Sequence, residues 1–347
     1  MEVGPFKYQD DKLQKRENSW NLENNLLIID QPVGTGYSFT VKNCYARNET
    51  DVGDDLYKAL IQFYQLFPKL VNNKFFISGQ SYAGHYIPAL GHIIHKQNPT
   101  APVKINLAAM MIGNGLVDPE TQLDYGDFYY YLGLIDDAAR DVFNLNYQQF
   151  VQEVKVKNWV AAGKICNAFR GTLYDRFVDR KVYAYNYARK QPEPPRSLSI
   201  YIQSAELRKA LHIGMLPFNR IIKVYGYLRD DIVQSVKPWV EELLEFYPIV
   251  FYNGQLDLTV GYPMTIKFLR SLNWSGEKQY LTSERTKWCV GSDLAGYYKG
   301  AHNLYDVMVR NAGHVVPTDQ PLWAYTLMKS VTSGTPDNPL HALTPCE

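Results

Sequence analysis

The chain has 347 residues, of which 46% are hydrophobic and 14% aromatic, and its 36 basic and 35 acidic residues give a formal net charge of +1. This composition indicates a folded protein with a sizeable core, arranged as one large domain with an insertion or as two domains. Because the charges balance and form no basic stripe, nucleic acid and acidic membrane surfaces are poor candidates for partners. No apolar run approaches about 18 residues, so no membrane-spanning segment is predicted.

The first third of the chain alternates between buried strands and helices. Residues 25–30 form a near-continuous apolar run, which predicts a strand covered on both faces. Residues 51–68 carry apolar residues at helical spacing and end at a proline. Two further apolar runs, at residues 75–77 and 107–112, predict two more buried strands. This alternation is typical of a mostly parallel α/β sheet flanked by helices.

The pattern changes between residues 118 and 228. An aromatic run at 128–131, charge-rich helical stretches and a Pro-rich break at 191–195 replace the buried strands. We therefore predict a mainly helical insertion that covers the site as a lid. The aromatic run is either part of its core or a wall that faces the substrate.

The α/β pattern then resumes with predicted strands at residues 247–252 and 304–309 and a closing helix from residue 323. The predicted domain organisation is a first core segment at residues 1–117, the insertion at 118–228, and a second core segment at 229–347.

The central motif is Gly79-Gln80-Ser81-Tyr82-Ala83-Gly84, between a predicted strand and a predicted helix. This pattern indicates a nucleophile elbow, in which a strained turn exposes a serine hydroxyl. Small residues on either side of Ser81 relieve collisions in so tight a turn. The backbone N–H of Tyr82 then lies at a helix start, where it can stabilise developing negative charge. The alternative is an ordinary Gly/Ser turn.

Two more candidates follow buried strands in Gly-containing loops, Asp257 and His314. The C-terminal edge of a parallel sheet is where α/β enzymes hold their sites. The order Ser81, Asp257, His314 is that of nucleophile, acid and base in α/β hydrolases. A serine hydroxyl needs an imidazole to take its proton, and the imidazole needs a carboxylate to fix its tautomer. Taken singly, Asp257 fits a turn aspartate and His314 fits a capping or core histidine.

Other candidate sites are weaker. The four cysteines (Cys44, Cys166, Cys289 and Cys346) are widely spaced, which excludes a Cys-x-x-Cys motif and leaves three connectivities open if two bridges form. Asn48 and Asn273 begin glycosylation sequons. His92 and His95 lie about one helical turn apart, but no third zinc ligand is apparent, so no metal or other cofactor is predicted.

These motifs resemble the serine carboxypeptidases of the α/β-hydrolase superfamily, in particular the vitellogenic-like branch and the arthropod venom and vitellogenic enzymes. The resemblance extends over nearly the whole chain. It includes Ile29-Asp30-Gln31-Pro32-Val33-Gly34-Thr35-Gly36-Tyr37-Ser38, the elbow, Gly113-Asn114-Gly115, Tyr252 to Asp257, and Gly313-His314-Val315-Val316-Pro317.

The resemblance implies an enzyme that removes single residues from peptide C-termini, in lysosomes or outside cells. It further implies that Ser81, Asp257 and His314 form the triad. Tyr82 would contribute its N–H to the oxyanion hole and its ring to the substrate pocket. An acyltransferase, known from a plant branch of the family, is an alternative within the same fold.

The sequence departs from the family pattern in two ways. The family carries a Trp-x-Asn-Gly-Gly-Pro-Gly loop upstream, with a second oxyanion donor and early sheet strands, and this sequence begins downstream of it. We therefore expect a truncated form without the early strands or a signal peptide, and a catalytically inactive binding or storage protein is a further alternative.

The second departure is Gln80, where the family usually has Glu. The resemblance implies that this position and Glu2 together bind the substrate carboxylate. A glutamine can donate a hydrogen bond at any pH, whereas a glutamic acid must be protonated to do so. We expect Gln80 to make substrate binding less dependent on acidic pH than it would be with a glutamate at this position.

Overall fold

The computed structural model describes residues 2–192, 196–335 and 337–346, so part of the predicted Pro-rich break lies outside the described residues. The strands are β1 (Phe6–Gln9), β2 (Lys12–Lys15), β3 (Phe75–Gln80), β4 (Leu107–Gly113), β5 (Ile249–Gly254), β6 (Thr286–Val290), β7 (Asp293–Ala301), β8 (Leu304–Val309) and β9 (Thr344–Pro345).

The helices of the first half are α1 (Glu49–Leu66), α2 (Ala83–Gln97), α3 (Pro119–Gln122), α4 (Tyr125–Tyr131), α5 (Asp137–Lys155), α6 (Trp159–Arg170) and α7 (Thr172–Phe177). Those of the second half are α8 (Arg196–Tyr201), α9 (Ala205–Ala210), α10 (Ile222–Leu228), α11 (Lys237–Leu244), α12 (Tyr262–Leu269), α13 (Glu277–Thr282), α14 (Val316–Asp319) and α15 (Pro321–Ser333). Short 3-10 turns lie at Trp20–Leu22 and Pro68–Leu70.

Seven strands form one mixed sheet in the order β3-β4-β5-β8-β7-β6-β9. The strands β3, β4, β5 and β8 pair in parallel, while the remaining pairings are antiparallel. Strands β1 and β2 form a separate hairpin. A disulfide between Cys289 and Cys346 joins β6 to β9, whereas Cys44 and Cys166 are free thiols.

The central strands are apolar throughout because both faces of the sheet are covered. In β5, Ile249 and Phe251 pack into the core on one face, and Val250 and Tyr252 pack into the core on the other. Strand β4 alternates in the same way. This two-residue period is the geometry of a pleated strand, and it explains why a continuous apolar run predicted these strands correctly.

The start of helix α1 is fixed by an N-cap hydrogen bond. The Asn48 side chain accepts a hydrogen bond from the backbone N–H of Asp51 at 2.8 Å, which satisfies one of the unpaired donors of the first turn. The predicted helix over residues 51–68 is confirmed, with its start two residues earlier. Among the described residues, no helix combines the length and apolarity needed to cross a bilayer.

Between β4 and β5 the described chain is helical and builds a core of its own. Phe143, Phe150 and Phe169 are fully buried within it. Of the aromatic run at 128–131, Tyr129 belongs to this core, and its hydroxyl donates to the Leu258 carbonyl at 3.1 Å. Tyr131, in contrast, is 79% exposed. The run therefore contributes mainly to packing behind the loop that follows β5.

The predicted strand at residues 25–30 is wrong, because this segment is irregular and most of its residues are exposed. Strand β3 is the edge of the sheet, and a cavity of about 860 Å³ lies between it and the segment. A strand requires a neighbour about 4.8 Å away to satisfy its backbone groups, and this segment has none at that spacing. Leu27 and Ile28 are consequently 42% and 49% exposed, despite their apolar character.

Candidate active site

Ser81 occupies a strained turn between β3 and α2. Its φ is 60°, in the left-handed region, and its backbone N–H donates to the Gly113 carbonyl at 2.9 Å. A Cβ on Gly79 would come within 2.6 Å of the Ala83 Cβ, so small residues are required on both sides. These hydrogen bonds and close contacts hold the serine in a conformation that a non-glycine residue rarely adopts.

The Asp257 carboxylate is fully buried and accepts several hydrogen bonds. The backbone N–H of Thr259 donates to Oδ1 at 2.7 Å, and that of Val260 donates to Oδ2 at 3.2 Å. The Asn114 side-chain amide donates to Oδ2 at 2.8 Å. These donors compensate the cost of burying a carboxylate and fix its orientation.

His314 is 1% exposed, and its Nδ1 lies 2.7 Å from Asp257 Oδ2. Its backbone N–H donates to the Tyr185 carbonyl at 2.6 Å, and the two rings have centroids 4.5 Å apart. The other ring nitrogen, Nε2, is buried without a hydrogen-bond partner in the described part of the chain. A buried imidazole nitrogen in this state is free to exchange a proton with another group.

A segment of the helical region holds the histidine loop in place. Asn186 donates to Asp319 Oδ2 at 2.8 Å, and the Gly313 N–H donates to the same oxygen at 2.7 Å. A Cβ on Gly313 would lie 1.9 Å from the Tyr185 carbonyl oxygen. The absence of a side chain at Gly313 thus permits the close approach of the two segments.

The sheet brings the three predicted residues to one edge. Ser81, Asp257 and His314 follow β3, β5 and β8, and these strands are parallel, with β4 between the first two. Asp257 and His314 form a hydrogen-bonded pair. Asn114, which directly follows β4, also connects β4 to β5, because its Oδ1 accepts a hydrogen bond from the Gly254 N–H at 3.2 Å. No role was predicted for Asn114, although its place in a Gly-Asn-Gly sequence after a buried strand was a usable signal.

Glu2 and Gln80 also meet at this edge, since Gln80 Nε2 lies 3.4 Å from Glu2 Oε1. Burial raises the pKa of Glu2. Tyr82 follows the serine as the N-cap residue of α2, and its ring stacks on His85 with centroids 4.6 Å apart.

The remaining candidates lie away from this edge. Asn48 and Asn273 are both exposed. His92 Nδ1 contacts Glu242 at 2.6 Å, and His95 Nδ1 contacts the Tyr247 hydroxyl at 3.2 Å. Within the described ranges, no cluster of three His, Cys, Asp or Glu residues is arranged to hold a metal ion.

A parallel sheet with a strained serine turn, followed by an Asp–His pair at the same edge, defines the α/β-hydrolase fold. The crystal structure of Kex1Δp, a prohormone-processing carboxypeptidase from Saccharomyces cerevisiae, superposes with a TM-score of 0.82 at 27% identity. The superposition covers 94% of this chain and 78% of that one.

The sequence comparisons narrow this class to one family. A model of the serine carboxypeptidase family matches residues 1–334. The chain is 42% identical over 346 residues to a venom serine carboxypeptidase of Apis mellifera, covering 96% of this chain and 73% of the relative. It is 39% identical to a vitellogenic carboxypeptidase of Aedes aegypti, covering 95% of this chain and 72% of the relative. The chain belongs to the serine carboxypeptidase family.

Proposed function

We propose that this protein is a serine-type carboxypeptidase that releases C-terminal residues from peptides and proteins. The observation that carries the proposal is the buried Asp257–His314 pair, which lies on the sheet edge that also carries Ser81. Family membership supports a peptide substrate. The active form requires no cofactor, because the serine, imidazole and carboxylate together supply the nucleophile, the base and its orientation.

The reaction proceeds in two halves. His314 Nε2 takes the proton of the Ser81 hydroxyl as the oxygen attacks the carbonyl carbon of the last peptide bond. The Tyr82 N–H stabilises the resulting oxyanion, and His314 then returns the proton to the leaving amine. Water, activated by the same imidazole, hydrolyses the acyl-enzyme. Asp257 holds the imidazole tautomer and stabilises its charged form throughout.

Gln80 and Glu2 recognise the free carboxylate of the substrate. The Gln80 amide donates a hydrogen bond to it at any pH, and Glu2 does so while it is protonated. Because burial raises the pKa of Glu2, the protonated form persists to a higher pH than an exposed glutamate would allow. This pair selects C-terminal residues over internal ones.

The test is release of the C-terminal amino acid from an N-blocked dipeptide. We expect cleavage that a serine-directed phosphonate abolishes and that Ser81→Ala reduces by a factor of roughly 10⁴ or more. An N-blocked dipeptide amide, which lacks the terminal carboxylate, is the matched control substrate and should be cleaved poorly. A folded protein that neither turns over the dipeptide nor reacts with the phosphonate would instead be an inactive binding or storage protein.

Two further properties accompany the proposal. Acyl transfer would appear as ester formation when an alcohol acceptor is added to the assay, and we expect hydrolysis to prevail.

We also propose a secreted or lysosomal protein glycosylated at Asn48 and Asn273. Both side chains are exposed, and the cap at Asn48 uses only its oxygen, which leaves Nδ2 free for a glycan.

A further inference from the structure

The Tyr82 side chain is surrounded by two aromatic rings and a buried carboxyl group. Its ring stacks on His85, and the ring of Tyr86 meets it edge-on with centroids 5.0 Å apart. Its hydroxyl is buried and faces the carboxyl group of Glu49. The ring of the residue that follows Ser81 is therefore held by two aromatic contacts, while its buried hydroxyl lies near Glu49 without a hydrogen-bond partner among the described residues.

Glu49 is the first residue of α1, and it is only 3% exposed. Its carboxyl interacts with the Tyr82 hydroxyl, although the contact falls short of a well-formed hydrogen bond. A carboxyl group buried without an ion pair is costly when charged and is found where a structure requires it. The catalytic steps described above make no use of Glu49.

A second buried carboxyl group lies against the first. Asp231, which is 7% exposed, lies near the backbone N–H of Glu49, and its Oδ2 has no partner among the described residues. The other groups that act on this pair are the phenol of Tyr86 and the carboxylate of Asp51.

The basic side chains that are close in sequence to Glu49 and Asp231 interact with other groups. The guanidinium of Arg47 lies over the ring of Tyr227, 5.4 Å from its centroid, and Arg229 pairs with Asp230 at 3.0 Å. His85 is also engaged, because both of its ring nitrogens lie against backbone carbonyls. The two buried carboxyl groups thus repel each other unless one of them carries a proton.

We propose that Glu49 is a positioning residue of the active site: its buried carboxyl, beside Asp231, packs against the Tyr82 hydroxyl and thereby fixes the backbone N–H that follows Ser81. The inference rests on the proposed function for its effect on catalysis. Its effect on the conformation of the elbow does not depend on that function.

The carboxyl groups of Glu49 and Asp231 ionise in different pH ranges. Burial raises the pKa of Glu49 to about 8 and that of Asp231 to about 6. Between these values Asp231 is charged while Glu49 is neutral. Above pH 8 both are charged, their repulsion loosens the contact with Tyr82, and the oxyanion donor loses its fixed position. The enzyme should therefore lose kcat on the alkaline side.

Five variants test this assignment. Glu49→Gln keeps the shape and the hydrogen-bonding groups but cannot ionise, so we expect near-normal kcat at pH 6 and a loss of the alkaline decline. Glu49→Ala should lower kcat about tenfold or more at pH 6, with a smaller change in KM, and should approach the parent above pH 8, where the parent loses the same contact. Asp55→Asn, at an exposed position of α1, should leave the profile unchanged. Glu49→Ala combined with Tyr82→Phe should lower kcat no further than Tyr82→Phe alone.

Hydrogen exchange provides a readout that does not require turnover. Amides of residues 80–86 should exchange faster in Glu49→Ala than in the parent or in Asp55→Asn. If exchange in this segment is unchanged, or if Glu49→Gln retains the parent's alkaline decline, the inference is wrong. If the parent shows no peptidase activity but exchange responds as expected, the proposed function fails while the positioning role stands.

Discussion

Asn114 and His314 contact the same oxygen of one carboxylate, since each lies within 2.8 Å of Asp257 Oδ2. Asn114 is fully buried, with a φ of 43°, and it bridges the ends of β4 and β5. Orientation of the proposed acid therefore depends on an amide that no triad motif includes. This arrangement leads to the first prediction.

Replacing Asn114 should lower kcat through misorientation of Asp257. A hydrogen bond to a buried charged group contributes about 1.5–3 kcal/mol, which corresponds to a loss of roughly 10- to 100-fold. Asn114→Gly removes the side chain while tolerating the positive φ, and Asn114→Ala removes it and adds backbone strain. Steady-state kinetics and thermal melts should show similar kcat losses for both variants and a lower Tm for Asn114→Ala. Unchanged kcat in Asn114→Gly would contradict the orienting role.

Gly313→Ala should impair both stability and activity. The added methyl group would lie 1.9 Å from the Tyr185 carbonyl oxygen, and backbone atoms cannot yield as a flexible side chain can. We expect the histidine loop to separate from the segment that contains Tyr185, with a loss of about 1–3 kcal/mol in unfolding free energy. Gly226→Ala is the matched control, because no atom lies within 4 Å of the new methyl group. Denaturant unfolding of both variants would check the prediction, and equal effects would contradict it.

The parallel half of the sheet could be predicted from sequence because its strands are covered on both faces and read as continuous apolar runs. The antiparallel strands β6 and β7 carry mixed polar and apolar residues with no clean alternation, so they gave no comparable signal. At residues 25–30 the error is the opposite one, because a strand was predicted and none forms. Their composition is that of a strand, but a strand forms only when a neighbour completes its hydrogen bonds, and composition does not reveal the neighbour.

The three triad positions of the candidate site were predicted from sequence, but the residues that support them were not. The strained serine turn and the loops of Asp257 and His314 are local features, and each follows a recognisable strand. Asn114 and Glu49 act through contacts with residues far away in the chain, so their importance emerges only when β4, β5 and α1 are placed together. The catalytic roles of the three triad residues stay predictions until they are tested by kinetics.

Gln80→Glu should make substrate binding more dependent on acid. With Gln80 the amide donates at any pH, whereas two glutamates must share a proton to bind a carboxylate. On raising the pH from 5 to 7, we expect KM for a blocked dipeptide to rise about tenfold more in Gln80→Glu than in the parent, equivalent to about 1.4 kcal/mol. Glu2→Gln should flatten the profile instead, because it removes the carboxyl group whose pKa burial raises. Parallel KM profiles in all three proteins would exclude this pair from carboxylate binding.

Glu49→Gln should also change how stability depends on pH. The pKa of Glu49 is about 8 in the folded protein, because its carboxyl is buried, and near the ordinary glutamate value of 4.5 in the unfolded chain. Between these values the folded state binds more protons, so its stability falls as the pH rises, by up to about 1.4 kcal/mol per pH unit. Glu49→Gln abolishes this contribution. Its unfolding free energy should match that of the parent near pH 4.5 and exceed it increasingly towards pH 8, whereas Glu284→Gln, at an exposed position, should follow the parent throughout. Denaturant titrations across this range would decide the matter, and a Glu49→Gln curve parallel to the parent would show that Glu49 is already ionised in the fold.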